Sequence, residues 1–290
     1  MKTLTLLLLL FINDDVGRIA SQIDSTVGVA ALNIDTGRRI SIRGGERFPM
    51  GSVYKFPIAI EVLHQVDAGK LRLKDEVTIQ PSDFSPGHSP IRDKAKGKAV
   101  RMSVGQLLEA MLGDSDNTAC DALLRMVTPS AVTKRMKDFR IGGVRIDRTE
   151  KQIAEDIKAR GEAAYAADPR DTASPDAMVE LLARVVRRQD GLTAASRNLM
   201  LKIMTAGPRN RIKASLPPGV TVAHKSGQMP GTRNDVGIVT APDGTLIVIA
   251  VFTKAGLRSS EDKRGEVISQ IARRVYDHFT GAAGSTTRQP

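Results

Sequence analysis

Apolar side chains recur at Val16, Ile19 and Ile23, a spacing that predicts an amphipathic helix near the start of the chain. The period then changes. Thr26 to Asn33 (TVGVAALN) is a short apolar run that predicts a buried strand, and Asp35-Thr36-Gly37 predicts a turn into a second strand over Arg39 to Arg43. From Ser52 to about Arg197 the pattern is mostly helical, broken by loops such as Pro81 to His88. Strand signals return late, at Val220 to His224, Asn234 to Thr240 and Thr245 to Phe252, with Pro242-Asp243-Gly244 as the hairpin turn between the last two. Val267, Ile271, Val275 and Phe279 lie on one face of a closing helix, and Gly281 to Pro290 is expected to fray.

Strands at both ends with helices between them predict an α+β fold. Both termini would form an antiparallel sheet flanked by helices, with an all-α domain inserted and the active site in the cleft between them. The expected boundaries are a signal-like segment at 1–12, an α/β domain from 13–45 plus 205–280, the all-α domain at 46–204 and a tail at 281–290.

Composition agrees with a folded protein. The chain has 290 residues, 41% hydrophobic and 26% charged, enough for one large or two modest domains. Tryptophan is absent, so aliphatic and Met side chains must fill the core. The net charge of +11 raises nucleic acid as a partner, but basic residues are interspersed with acids and no aromatic interleaving accompanies them; a solvated basic surface accounts for the charge. Met1-Lys2 followed by the apolar run Leu4 to Ile12 resembles a secretory signal, without a small-residue cleavage site before Asn13-Asp14-Asp15. That run is shorter than the about 20 residues a spanning helix needs, so no stable membrane anchor is expected, and the location is expected to be periplasmic or secreted. A buried N-terminal segment is the alternative. The single Cys120 excludes an internal disulfide and a multi-cysteine metal site, and reads as a core thiol. His64, His88, His224 and His278 are isolated from one another, so no metal is expected; His224 beside Lys225 reads first as packing.

Three fragments carry candidate chemistry: Ser52-Val53-Tyr54-Lys55, Ser115-Asp116-Asn117 and Lys225-Ser226-Gly227. Ser-x-x-Lys alone is weak, since Ser260…Lys263 repeats it where Ser260 is explained as a helix N-cap. Ser52…Lys55 differs in opening an apolar helix with Phe56, Ile60 and Leu63 at helical spacing. Three-residue spacing puts hydroxyl and amine on one face, and the helix N-terminus favours negative charge developing on Ser52. Pro57 cannot donate to the Val53 carbonyl, which predicts a local distortion. Ser115-Asp116-Asn117 could be only an N-cap; functionally it offers a hydroxyl to relay a proton to a leaving nitrogen and an amide to hold substrate and lysine. Lys225-Ser226-Gly227 ends a predicted strand, where glycine lets a ligand approach the backbone.

In this order, the three fragments resemble the signature of the class A serine β-lactamases, and the resemblance spans about Val16 to Phe279. Arg47-Phe48-Pro49-Met50, Asp171-Thr172-Ala173-Ser174-Pro175 and Asn234-Asp235-Val236-Gly237 fit the same family. The resemblance implies hydrolysis of β-lactam antibiotics without a cofactor, by an enzyme expected to be monomeric. It implies Ser52 as the acylated nucleophile, Lys55 as candidate base for acylation, and Ser115 with Lys225 for protonation of the β-lactam nitrogen. Asn117 would hold the substrate amide, Ser226 of Lys225-Ser226-Gly227 would contact the substrate carboxylate, and the backbone N–H groups of Ser52 and Gln228 would form the oxyanion hole. Arg211 matches a position where some members keep a carboxylate-binding arginine; a surface charge is the alternative.

The family's deacylation base is a Glu in an Arg-x-Glu-x-x-Leu-Asn stretch, for which Arg148-Thr149-Glu150-Lys151-Gln152-Ile153-Ala154 is the counterpart. Glu150 is therefore the candidate, with Glu155 and Glu162 as nearby competitors. Ala154 replaces the Asn that helps hold the hydrolytic water. The loop from Arg148 to Asp171 is longer than usual and contains a helical-looking insert, Glu155 to Ala166. Asp121 stands where many members brace this loop with Asn. A D-Ala-D-Ala peptidase or slowly deacylating penicillin-binding protein of the cell wall is the alternative function, and a non-hydrolytic penicillin sensor a second.

Overall fold

The computed structural model describes residues 12–208, 210–255 and 258–281. Its centre is a five-stranded antiparallel sheet. The strands, numbered along the chain, are β1 (Thr26–Asn33), β2 (Arg39–Ile42), β7 (Thr221–Met229), β8 (Thr232–Thr240) and β9 (Leu246–Lys254), in the order β2-β1-β9-β8-β7. Alternation divides their side chains between two hydrophobic layers. Ala30, Leu32, Val236, Ile238, Val248, Ala250 and Phe252 face the larger core. Val27, Val29, Ala31, Val239, Ile247, Ile249 and Val251 face the smaller one. Both faces are thus covered, which is why β1 and β9 read as continuous apolar runs rather than alternating ones.

Two terminal helices cover the smaller core. These are α1 (residues 12–20) and α11 (Glu261–Thr280), with Ile12 and Val16 meeting Val267, Ile271, Val275 and Phe279 in one cluster. Ile12, at the end of the signal-like run, is fully buried here. The rest of that run and the tail beyond Gly281 lie outside the described residues. Ser260 caps α11, accepting from the Lys263 amide at 3.1 Å, as its sequence context predicts.

The chain between β2 and β7 builds the other half. Its helices are α2 (Lys55–Asp67), α3 (Pro90–Ala95), α4 (Val104–Leu112), α5 (Asn117–Val127), α6 (Pro129–Asp138), α7 (Glu150–Arg160), α8 (Glu162–Ala167), α9 (Pro175–Val186) and α10 (Ala194–Thr205). Helix α2 is the axis of this half, with Lys55 through Leu63 all buried. Two small sheets escaped the sequence pattern because they are too short for a period to show. Strands β3 (Phe48–Pro49) and β6 (Thr172–Ala173) pair with each other, as do β4 (Glu76–Ile79) and β5 (Val100–Ser103). The first pair matters for the site. It fastens the approach to Ser52 onto the end of the 148–171 loop, and the Met50 amide donates to the Asp171 carbonyl at 3.1 Å alongside it.

Candidate active site

Ser52 does not sit on the α-helix itself. It lies in a 3₁₀ turn, Gly51–Tyr54, that runs into Lys55, the first residue of α2. Pro57 thereby becomes the third residue of the helix, where the missing N–H has no intrahelical acceptor to serve. The tight turn is the form the expected distortion takes. Lys55 is fully buried, and its Nζ donates to Ser52 Oγ at 3.1 Å, to the Ser115 carbonyl at 2.7 Å and to Asn117 Oδ1 at 2.7 Å. Those three bonds use every proton an ammonium has. Glu150 Oε1 stands 3.0 Å from the same nitrogen yet accepts no directed hydrogen bond. Charge therefore holds the carboxylate in place while leaving acceptor capacity on that oxygen.

Ser115 adopts φ +59°, a left-handed conformation uncommon for a residue with a Cβ. The strain has a visible use: the Ser115 carbonyl reaches Lys55 while its Oγ accepts from Lys225 Nζ at 2.9 Å. One serine thus spans both lysines. Asp116, rather than Ser115, caps α5 by accepting from the Ala119 amide at 2.9 Å, and it also accepts from the Ile91 amide at 2.7 Å. The N-cap reading of this triplet holds for Asp116, while Ser115 and Asn117 bond to the two lysines. Lys225 is buried and also donates to the Ser226 carbonyl at 2.9 Å. Burial, and then the nearby positive charges of Lys55 and Arg211, lower its pKa to about 7, against the partial opposition of Asp235 and Glu150.

Lys225-Ser226-Gly227 lies inside β7, which continues to Met229, and not at its end. β7 is an edge strand, and the Ser52 turn packs against it where its backbone is closest. A Cβ on Gly227 would stand 2.3 Å from the Met50 carbonyl oxygen and 3.1 Å from the Ser52 amide nitrogen; one on Gly51 would stand 3.0 Å from the Gln228 amide nitrogen. The two amides expected to form the oxyanion hole therefore border one narrow seam. Gly227→Ala is expected to force this seam apart and lower kcat/KM by about 10²-fold, the effect of losing one such donor. Overpacking should add a cost of about 1–3 kcal/mol in stability. Steady-state kinetics together with denaturant unfolding would check both.

Arg211 is not a surface charge. It is 8% exposed, adopts φ +47°, and its Nη2 donates to Gln228 Oε1 at 3.3 Å. With Ser52, His88, Ser115, Ser226, Gly227 and Gln228 it lines a cleft of about 330 Å³. A second lobe of about 490 Å³ shares Ser52, His88 and Gln228 and adds Asn117, Glu150 and Glu162. Eight of the ten expected site residues line these two lobes, and Lys55 and Lys225 lie buried behind them, bonded to Ser52 and Asn117 and to Ser115. Among the described residues, no group of three or more His, Cys, Asp or Glu side chains is placed to hold a metal ion.

The profile of the Beta-lactamase enzyme family matches residues 12–279. The chain belongs to this family. It is 31% identical over 267 residues to β-lactamase VEB-1 of Pseudomonas aeruginosa, covering 88% of this chain and 86% of that one. Extended-spectrum β-lactamase PER-1, also of Pseudomonas aeruginosa, is 32% identical over 263 residues, covering 87% and 82%. Among solved structures, a β-lactamase from Chitinophaga pinensis has a TM-score of 0.83 at 32% identity, over 92% of this chain and 98% of that one. A variant of the class A β-lactamase of the last common ancestor of Gram-negative bacteria gives 0.83 at 33% identity, over 93% and 99%. The enzyme is a class A β-lactamase by these likenesses, with the α+β fold they share.

The long loop of this β-lactamase is built to hold Glu150. Thr149 caps α7 in a reciprocal capping box with Gln152, which makes Glu150 the first helical residue. Asp121 accepts from the Glu150 and Lys151 amides at 2.7 and 3.1 Å and from Ser85 Oγ at 2.7 Å. Burial raises the Asp121 pKa, partly offset by those hydrogen bonds. Arg148 Nε donates to Asp171 at 2.6 Å, and Arg160 and Arg170 both pair with Asp168. Gly161, at φ +82°, breaks the expected helical insert into α7 and α8. Tyr165 of α8 buries its ring with the Arg148 guanidinium 6.0 Å from the centroid. Of the three candidate carboxylates only Glu150 pairs with Lys55; Glu155 is exposed, and Glu162 only lines the outer lobe. His88, read as isolated, lines both lobes; its Nε2 lies 2.9 Å from the Asp114 carbonyl. No sequence spacing announces it, because a loop folded over α5 brings it there.

Proposed function

We propose that this protein hydrolyses the β-lactam ring of penicillins, with cephalosporins as further substrates, through an acyl-enzyme on Ser52. The observation that carries the reading is the Glu150 carboxylate, buried 3.0 Å from Lys55 Nζ in the lobe that Ser52 lines. A cell-wall peptidase or penicillin-binding protein needs the acylating serine and lysine, but no second carboxylate poised over the ester.

In this mechanism a proton passes from Lys55 to Glu150, and the neutral amine takes the Ser52 proton as Oγ attacks the lactam carbonyl. The Ser52 and Gln228 amides receive the oxyanion. Lys225 keeps Ser115 oriented; the Ser115 hydroxyl protonates the departing nitrogen and regains a proton from Lys55, and Lys55 recovers its own from Glu150, which leaves Glu150 ionised. Asn117 holds the acyl side-chain amide, while Ser226 and Arg211 take the ring carboxylate. Glu150 then deprotonates a water for attack on the ester, and that proton passes back to Ser52 Oγ as the ester bond breaks, which regenerates Ser52. The seam, the strained Ser115 and the charged cleft support these roles. Segment 46–204 serves as the helical wall and the sheet as the other. We place the enzyme outside the cytoplasmic membrane on the strength of the signal-like Met1 to Ile12, and expect it to act as a monomer. No helix among the described residues is long and apolar enough to cross a membrane.

Purified protein is expected to turn over nitrocefin steadily, many equivalents per enzyme. A stoichiometric burst followed by silence would favour the penicillin-binding alternative.

Lys225 gives the reading a pH signature. The cation orients Ser115 and attracts the substrate carboxylate, so activity belongs to the protonated form, which predominates below its pKa of about 7. kcat/KM is therefore expected to fall as pH rises through about 7. Arg stays charged throughout this range, so Lys225→Arg should move the alkaline limb upward by more than about one pH unit. A pH profile of both proteins checks it; coincident limbs would assign the titration elsewhere.

A further inference from the structure

His224 and Asp235 lie behind the cleft, and the mechanism above does not use them. They are 4% and 0% exposed. His224 Nδ1 meets both oxygens of Asp235 at 3.0 Å, and its Nε2 meets the Pro208 carbonyl at 3.2 Å. Both ring nitrogens thus face oxygen, which ties the ring at its two ends. The ring also fits a made-to-measure slot. A Cβ on Gly237 would stand 2.9 Å from His224 Cβ, and one on Gly207 would stand 3.3 Å from Nε2.

Asp235 Oδ2 also accepts from the Ile212 amide at 3.1 Å, and Asp235 stands directly across the β7–β8 ladder from Ser226. The pair therefore grips the chain at Pro208 and at Ile212, on either side of Arg211. Arg211 itself sits at φ +47°, and among the described residues its side chain makes a single hydrogen bond, to Gln228. Its guanidinium position is thus set by backbone held from behind rather than by partners in the cleft.

We propose that His224, acting with Asp235, is a positioning residue for recognition of the substrate carboxylate, because it fixes where Arg211 presents its charge. This rests on the β-lactamase reading and on Arg211 receiving the ring carboxylate. Loosening the latch costs the contact Arg211 makes with an anion and leaves the Ser52–Lys55–Glu150 chemistry in place.

The test compares a penicillin with its methyl ester, which lacks the anion, on wild type, His224→Asn and His224→Gln. Asn keeps a donor near Asp235, and Gln one near Pro208. For the acid, KM is expected to rise about tenfold, the scale of one charge-assisted hydrogen bond, with kcat within about twofold. The ester's parameters should stay within about twofold of wild type. Equal losses for acid and ester, or no loss for either, would overturn the proposal. Should neither variant fold, the resonances of His224 in ¹⁵N-histidine-labelled Ser52→Ala protein decide it. They should move on adding the acid and not the ester, and stillness with the acid would overturn it. Wild type that turned over no β-lactam at all would instead sink the functional reading beneath it.

Discussion

Replacing Ser52 by alanine is expected to lower kcat against nitrocefin on the order of 10⁵-fold, because it removes the atom that bonds to the substrate. Ser115 and Ser226 also line this cleft, but Ser115 Oγ is committed to Lys225 at 2.9 Å. No substitute nucleophile stands against the Ser52 and Gln228 amides. The residual rate should reflect binding and those amides alone. The fold should survive, since the Ser52 side chain makes one hydrogen bond among the described residues, from Lys55, and the turn is set by its backbone against β7. Stability should change by less than about 1 kcal/mol, the usual net worth of one hydrogen bond. Circular dichroism with nitrocefin kinetics separates lost chemistry from lost structure.

Glu150→Gln is expected to give the second-largest effect, of a different kind. The amide keeps the volume between Lys55 and the cleft but can no longer take a proton from water. Deacylation should slow about 10³-fold, the middle of the range for a lost general base. Acylation should slow less than deacylation, because Lys55 loses Glu150 as its proton acceptor but keeps its bonds to Ser52, Ser115 and Asn117. One equivalent of antibiotic should then remain bound. Ala154, half-buried one turn along α7, makes this test sharper: with no Asn there to share the water, Glu150 carries more of its positioning. Unchanged turnover in Glu150→Gln would move the base elsewhere, with Glu162, which lines the same lobe, the next carboxylate to test.

Much of this was legible along the chain, and the failures have physical causes. β1 was read to the residue because an apolar run buried on both faces has sharp ends. β7 was cut short at His224 because an edge strand lining a cleft carries Ser226 and Gln228 half in solvent, so function overrides the strand pattern. Position in a 3₁₀ turn rather than a helix is a matter of one proline, and the distortion, though not its form, was readable from Pro57. The left-handed φ of Ser115 leaves no mark on residue identity. Glu150 could be chosen over Glu155 and Glu162 only by resemblance, since nothing local says which carboxylate meets Lys55. Arg211 was undecidable until its backbone was seen folded under Asp235. His88 and the His224 latch are products of tertiary contact alone.

The central claim is that Ser52 is acylated and Glu150 then releases it. Time-resolved intact-protein mass spectrometry with a penicillin tests that sequence of events most directly. Wild type should show an adduct of one antibiotic on Ser52 that forms and disappears as product accumulates, and Glu150→Gln should hold the same adduct. Turnover with no adduct at any time, or an adduct that wild type never releases, would contradict the account.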